Sequence, residues 1–213
     1  MARGLMAGLR ERQKADRERR ILRAAVTRFR SDGYRSVRIE DLAEMAEVSV
    51  GTVYNYYQTK GDILIATVAM EVQEVLDAGR AIVADPPRGA GEAILALIFQ
   101  YYDHSLEYLS KEMWRTAMAL SIEAPGTPNG RRYTELDQRL ARQVTDLVEA
   151  LQARGEVRPD LDAAALGELL FNNLNQMFIE FVKDDDMTLD TLRACVAAQT
   201  LPFARLISAG AGA

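Results

Sequence analysis

The twelve residues 49–60, SVGTVYNYYQTK, gather side chains suited to contacting a nucleic acid. Asn55 carries an amide that can pair bidentately with adenine, and Thr52 can meet a base edge or a thymine methyl. Tyr54 and Tyr56 add hydroxyls, while Ser49 and Lys60 stand at the two ends of the stretch. Gly51 has no side chain to keep the backbone away from a phosphate. In a helix starting here, the free amides of the first turn, Val50 among them, would favour an anionic oxygen. Arg38, just ahead of the preceding apolar segment, is placed for a second phosphate. The plainer reading, a solvated helical hairpin, leaves the Tyr-x-Tyr beside Asn and Thr without a purpose.

Those residues need a rigid support, and the flanking pattern supplies one. Ile39, Leu42, Ala43 and Ala46 recur at i, i+3, i+4, i+7, which gives a short helix one buried face. Glu47, Val48 and Ser49 follow, and Ser49 suits the N-cap of a second helix whose Val53 and Tyr57 point into the same small core. Two short helices about a three-residue turn form a helix-turn-helix, the second helix entering the DNA major groove. Upstream, Ile21, Leu22, Ala25, Val26 and Phe29 make one stripe of a helix over 16–31, and Asp32-Gly33 ends it. Tyr34 is expected to fold back on this three-helix core.

Residues 18–68 resemble the DNA-binding domain of TetR-family transcriptional regulators. The likeness is carried by Ile21, Ala24, Ala25 and Phe29, by Asp32-Gly33-Tyr34, and by Ile39-Glu40-Asp41-Leu42-Ala43. It continues through Ala46, Val48-Ser49, Gly51-Thr52-Val53-Tyr54, Tyr57 and Lys60. Asn55-Tyr56 departs from the His-containing pair that is frequent in the family at those positions. The resemblance implies a DNA-reading head on a helical body that dimerises and often encloses an effector.

The charge distribution points the same way. Residues 1–60 hold 13 lysines and arginines against 8 acidic residues, a net of +5, while residues 61–213 carry a net of −10. A basic head orients a chain on a polyanion, and an acidic body is kept off it. No apolar run is long enough for a membrane span, and the arginine-rich start lacks the apolar core of an export signal. The single cysteine, Cys195, leaves no internal disulfide, as expected of a cytoplasmic protein. Residues 1–15, with Arg3, Arg10, Arg12 and Lys14, read as a flexible basic arm or a helical extension, residues 16–60 as the head, and 61–213 as the ligand-binding and dimerisation part.

That body reads as helices throughout, so the fold class is all-α with about nine helices. A long helix from Thr59-Lys60 to about Val83 precedes two over 89–122; a loop over 125–130 and a helix over 133–154 follow. Asp160 is expected to cap a helix to about Val182, and a last helix starts at Thr188. By resemblance, 160–182 and 188–208 form the homodimer seam. Two heads would then read two half-sites of a palindromic, double-stranded operator. Polar groups stranded on apolar helices nominate an effector pocket: His104 and Trp114, walled by Tyr101 and Met118, and a second set, Asn172, Asn173 and Gln176. Their surroundings suit a small, largely hydrophobic molecule. With one histidine, one cysteine and no triad or metal-ligand spacing, no catalytic residue, metal or cofactor is expected, and the chain is not read as an enzyme. A repressor released by an effector is the leading expectation, and a ligand-independent or activating regulator of the same fold is the alternative.

Overall fold

The computed structural model describes residues 2–210, with only the backbone described for residues 2–10, so the side chains of Arg3 and Arg10 lie outside the described residues. Among the described residues there are nine helices and no strand, only an isolated antiparallel bridge between Val157 and Ser208. The helices are α1 (Ala2–Asp32), α2 (Ile39–Met45), α3 (Val50–Tyr56), α4 (Lys60–Ala84) and α5 (Ala90–His104). They continue as α6 (Lys111–Glu123), α7 (Pro128–Ala153), α8 (Ala163–Lys183) and α9 (Leu189–Ile207).

The chain divides into two compact units. One comprises Met1–Val68 with Tyr108–Gly130, the other Ala69–Glu107 with Arg131–Ala213. The head therefore does not close at residue 60: the first turns of α4 and the whole of α6 cluster with α1, α2 and α3. In this unit Ile21, Ala25, Phe29, Leu42, Val53, Ile63, Leu64, Met113 and Ala117 are all buried. Each large side chain among them contributes roughly 1.5–3 kcal/mol by leaving water.

Local chemistry accounts for most boundaries. Gly33, at φ +80°, takes the left-handed turn that ends α1. Ser110 and Thr188 cap α6 and α9 by accepting from the third residue onward, Met113 and Thr191. Of the two readings of the first fifteen residues, the helical extension is the one seen: residues 2–15 continue α1. Two expectations from the sequence need correcting. The loop over 125–130 is shorter than its turn residues suggest, because Thr127 accepts from the Gly130 amide and Pro128 takes the first helical position of α7. The start of α8 is capped by Asp162, whose carboxylate accepts from Ala164 and Ala165, and not by Asp160, which pairs with Arg158 instead.

The second unit is a bundle. Helix α9 packs on α5 and on α8. Tyr102 of α5 is buried, donates its hydroxyl to the Leu174 carbonyl at 2.8 Å, and stacks on Phe178 with centroids 6.0 Å apart. Helix α8 approaches α7 so closely at Gly167 that a Cβ there would stand 2.6 Å from the Thr145 Cα.

Candidate nucleic-acid interface and effector region

Helix α3 is anchored from beneath and open above. Val53 and Tyr57 are buried, and the Tyr57 hydroxyl donates to Glu18 at 3.3 Å. Ser49 caps the helix by accepting from the Thr52 amide at 3.1 Å, and the two hydroxyls lie 2.8 Å apart. Opposite the anchors, Gly51, Tyr54 and Asn55 are exposed, Tyr54 at 50% of its surface. Val50 and Thr52 are half-buried at the start of the helix. Arg38, its side chain 72% exposed, stands at the entry to α2, its Nε 3.4 Å from Glu40. The turn between α2 and α3 holds Glu47 at φ +53°, a left-handed position that an L-residue occupies only at a cost.

Two of the nominated contacts are placed differently. Tyr56 turns back to α1, donating its hydroxyl to the Lys14 carbonyl at 3.0 Å and standing 3.4 Å from Arg17 Nε. Lys60, expected at the surface of the helix-turn-helix, directs its ammonium inward to the carbonyls of Tyr34, Val37 and Arg35 at 2.7, 2.9 and 3.1 Å. It also lies 4.5 Å from the centroid of the Tyr34 ring. Burial lowers the Lys60 pKa, opposed by the charge of Glu112. The reason is geometric: the connection between α1 and α2 presents three carbonyls without helical partners, and an ammonium satisfies them.

The Tyr56 bond also shows what the sequence reading undervalued. It sets α1 beside α3, so exposed Lys14 and half-buried Arg17 flank the outward face of α3. The arginine and lysine spacing along residues 10–17 was the available signal.

In the second unit, Tyr101 is buried and donates to Gln143 Oε1 at 2.7 Å, and Gln143 in turn donates to the Leu76 carbonyl at 2.8 Å. Burial raises the Tyr101 and Tyr102 hydroxyls far above the ordinary phenol range. His104 Nδ1 bonds Glu71 Oε1 at 2.7 Å, with Glu74 3.6 Å from Nε2. Glu71 is only 1% exposed and its Oε2 has no hydrogen-bond partner. Burial raises the Glu71 carboxyl despite the histidine beside it. For His104, burial acts downward, but the Glu71 bond and the charges of Glu71, Glu74 and Glu107 outweigh it and the pKa rises. Asp137 on α7, largely buried, is pushed up to about 7.

The other nominated effector residues are divided between the two units. Trp114 is buried and Met118 half-buried, both on α6 of the first unit, whereas Tyr101 and His104 belong to the second. Asn172 and Gln176 are exposed on the outer side of α8, Gln176 donating to Glu180 at 2.9 Å, so they are not interior pocket residues. Asn173 lines a groove of about 490 Å³ with Leu169, Leu170, Gln199, Thr200 and Phe203 of α8 and α9. Leu169 and Leu206 on these helices are 53% and 74% exposed. Cys195 is half-buried on α9. Among the described residues, no group of histidine, cysteine and carboxylate side chains could hold a metal, and no helix is long and apolar enough to cross a membrane.

Comparison with known proteins bears on both regions. The family described as bacterial regulatory proteins, tetR family, matches residues 21–67. A Rhodococcus jostii protein, the HTH-type transcriptional repressor KstR, is 27% identical over 134 residues, 62% of this chain and 61% of that protein. The chain thus spans less than two thirds of that relative. The fatty acid metabolism regulator protein of Bacillus subtilis is 22% identical over 82% of this chain and 88% of its own. Among solved structures, a TetR-family regulator from Mesorhizobium loti covers 92% of this chain and 98% of its own with a TM-score of 0.70 at 20% identity. The FadR regulator of Bacillus subtilis, solved with stearoyl-CoA, covers 85% and 96% with a TM-score of 0.63 at 18% identity. The helix-turn-helix at residues 39–56 lies within the family match: residues 21–67 form a DNA-binding domain of the tetR family of bacterial regulatory proteins, in a chain that shares its fold with solved structures of TetR-family regulators.

Proposed function

We propose that the chain is a homodimeric, sequence-specific repressor that binds a palindromic operator and is released by a small, largely hydrophobic effector. The observation carrying the DNA-binding part is the face of α3, where Tyr54 and Asn55 stand free over a helix locked by Val53, Tyr57 and the Ser49 cap. Arg38, Ser49, Val50, Gly51 and Thr52 complete the contact set, with Lys14 as a backbone contact from α1. Tyr56 and Lys60 act from behind.

The outer sides of α8 and α9 support the dimer. Exposed Leu169 lines the groove with Asn173 and Phe203, Leu206 is exposed on the same helix α9 as Phe203, and such apolar surface is unfavourable in water without a partner. Asn172 and Gln176 would sit in that seam. For the effector, the Bacillus neighbour held with stearoyl-CoA makes long-chain acyl thioesters the first class to test. Ligand would favour a state whose two heads are wrongly spaced and so lower operator affinity by linkage. A ligand-independent or activating regulator is the second reading; the footprint's position relative to the promoter separates the two.

Selection from a random DNA pool at two salt concentrations tests the first part. A palindromic consensus whose affinity falls with salt is expected. Adding acyl-CoA esters of graded length to that complex then tests release. No enriched sequence would contradict the DNA reading, and release by no acyl ester would remove that effector class.

A further inference from the structure

The geometry points to Lys60 as a positioning residue of the DNA-reading head, one that fixes the connection over 34–37 and so the point from which Arg38 reaches a phosphate. The inference rests on the DNA-binding reading above, and it assigns Lys60 no contact with DNA. An ammonium has three N–H donors. All three of those on Lys60 have main-chain acceptors, the carbonyls of Tyr34, Arg35 and Val37. A phosphate could claim a donor only by stripping one carbonyl of its partner.

The surroundings hold this arrangement from every side. Lys60 is the first residue of α4, and the start of that helix is itself fixed. The Thr59 amide donates to Asp62 Oδ2 at 2.7 Å, the Asp62 amide to Thr59 Oγ1 at 3.1 Å, and Asn129 to Asp62 Oδ1 at 2.5 Å. At the other end, the Tyr34 ring packs edge-on against Phe29 with centroids 5.1 Å apart. The Arg38 amide donates to Asp41 at 2.8 Å, so the residue after the stapled segment is pinned to α2. The Arg38 side chain, like those of Arg35 and Ser36, projects to solvent from this fixed frame. Arginine would be a poor substitute for Lys60, since a planar guanidinium cannot converge on three carbonyls as a compact ammonium does.

The test combines Lys60→Met, Lys60→Arg and Arg38→Ala, singly and as the Lys60→Met/Arg38→Ala pair, on the selected operator across a salt series. Positioning predicts that Lys60→Met weakens binding about tenfold with an unchanged slope of log affinity against log salt. Loss of a phosphate contact would instead reduce that slope by about 0.9. Positioning also predicts that Lys60→Arg does not restore affinity, and that Arg38→Ala costs at least threefold less in the Lys60→Met background. A reduced slope, rescue by arginine, or independent effects of the two substitutions would overturn it. Amide hydrogen exchange needs no DNA: the Arg38 amide should exchange about tenfold faster in Lys60→Met, and an unchanged rate would also overturn the inference. If the wild-type chain selects no operator, the DNA-binding reading fails, and the exchange rate alone decides whether Lys60 is the staple.

Discussion

Helices α3 and α8 both show asparagine on their outer side, Asn55 on one and Asn172 on the other, yet the two surfaces differ in kind. Helix α3 has seven residues and is held by contacts to α1 and α2, leaving a small polar face with Tyr54 at its centre. Helix α8 has 21 residues and mixes its polar groups with exposed Leu169 beside a groove shared with α9. A polar face on a locked short helix suits a polar, charged partner. A mixed face on a long helix suits a second protein surface. On the proposed function, the contrast separates reading from assembly.

The sharpest way to break that contrast is to charge the long face. If the chain dimerises as proposed, Leu169→Asp with Leu206→Asp should leave it monomeric and lower operator affinity at least about 100-fold, since a half-site held alone loses the linked second site. Sedimentation and operator titration check it; a dimer that survives both charges would move the seam elsewhere. Next in size is Gly167→Ala, which puts a Cβ against the Thr145 backbone and should destabilise the body by roughly 1–3 kcal/mol. Denaturant unfolding measures this loss, and operator specificity at low temperature should stay as in the wild type.

A pH effect of the body comes third. Asp137 is held near 7, so the folded state binds more protons than the unfolded chain between about 4 and 7. Its contribution to stability is full below the unfolded value and is lost as pH rises through 7. Asp137→Asn should therefore gain stability relative to wild type, roughly 1–2 kcal/mol by pH 8 after allowance for residual exposure. His104, also raised, has the same sign, so part of the wild-type pH slope should survive in the variant. Melting temperatures at pH 5 and pH 8 decide; equal slopes in the two proteins would remove Asp137 from the explanation. Smallest is Glu47→Gly in the turn before α3. Relief of the left-handed backbone should stabilise the head by roughly 1 kcal/mol, against an exposed Arg20 pair at 3.7 Å that adds little.

The same contrast explains what could be read beforehand. Ser49, Val53 and Tyr57 were legible because capping and helical spacing act within a few residues. Tyr56 and Lys60 were not, since their partners Lys14 and Tyr34 stand 42 and 26 positions away along the chain. Their polarity suggested solvent, and the fold supplied carbonyls. Helix α6 was read as part of the body for a similar reason: nothing in its own stripe says that Met113 and Ala117 cluster with the head. Asn172 and Gln176 looked stranded among apolar residues, but periodicity alone cannot tell an inward stripe from an outward one, and both are exposed. Thr127-Pro128 was readable as a cap followed by a first helical residue, and the surrounding glycines obscured it.

The most direct measurement is operator binding by Tyr54→Ala and Asn55→Ala, each against the selected operator and its single-base variants at fixed salt. The expected result is a roughly 10- to 100-fold loss with discrimination relaxed at particular base pairs, in proteins that melt like the wild type. Unchanged affinity and unchanged base preference in both variants would mean that α3 does not read the operator.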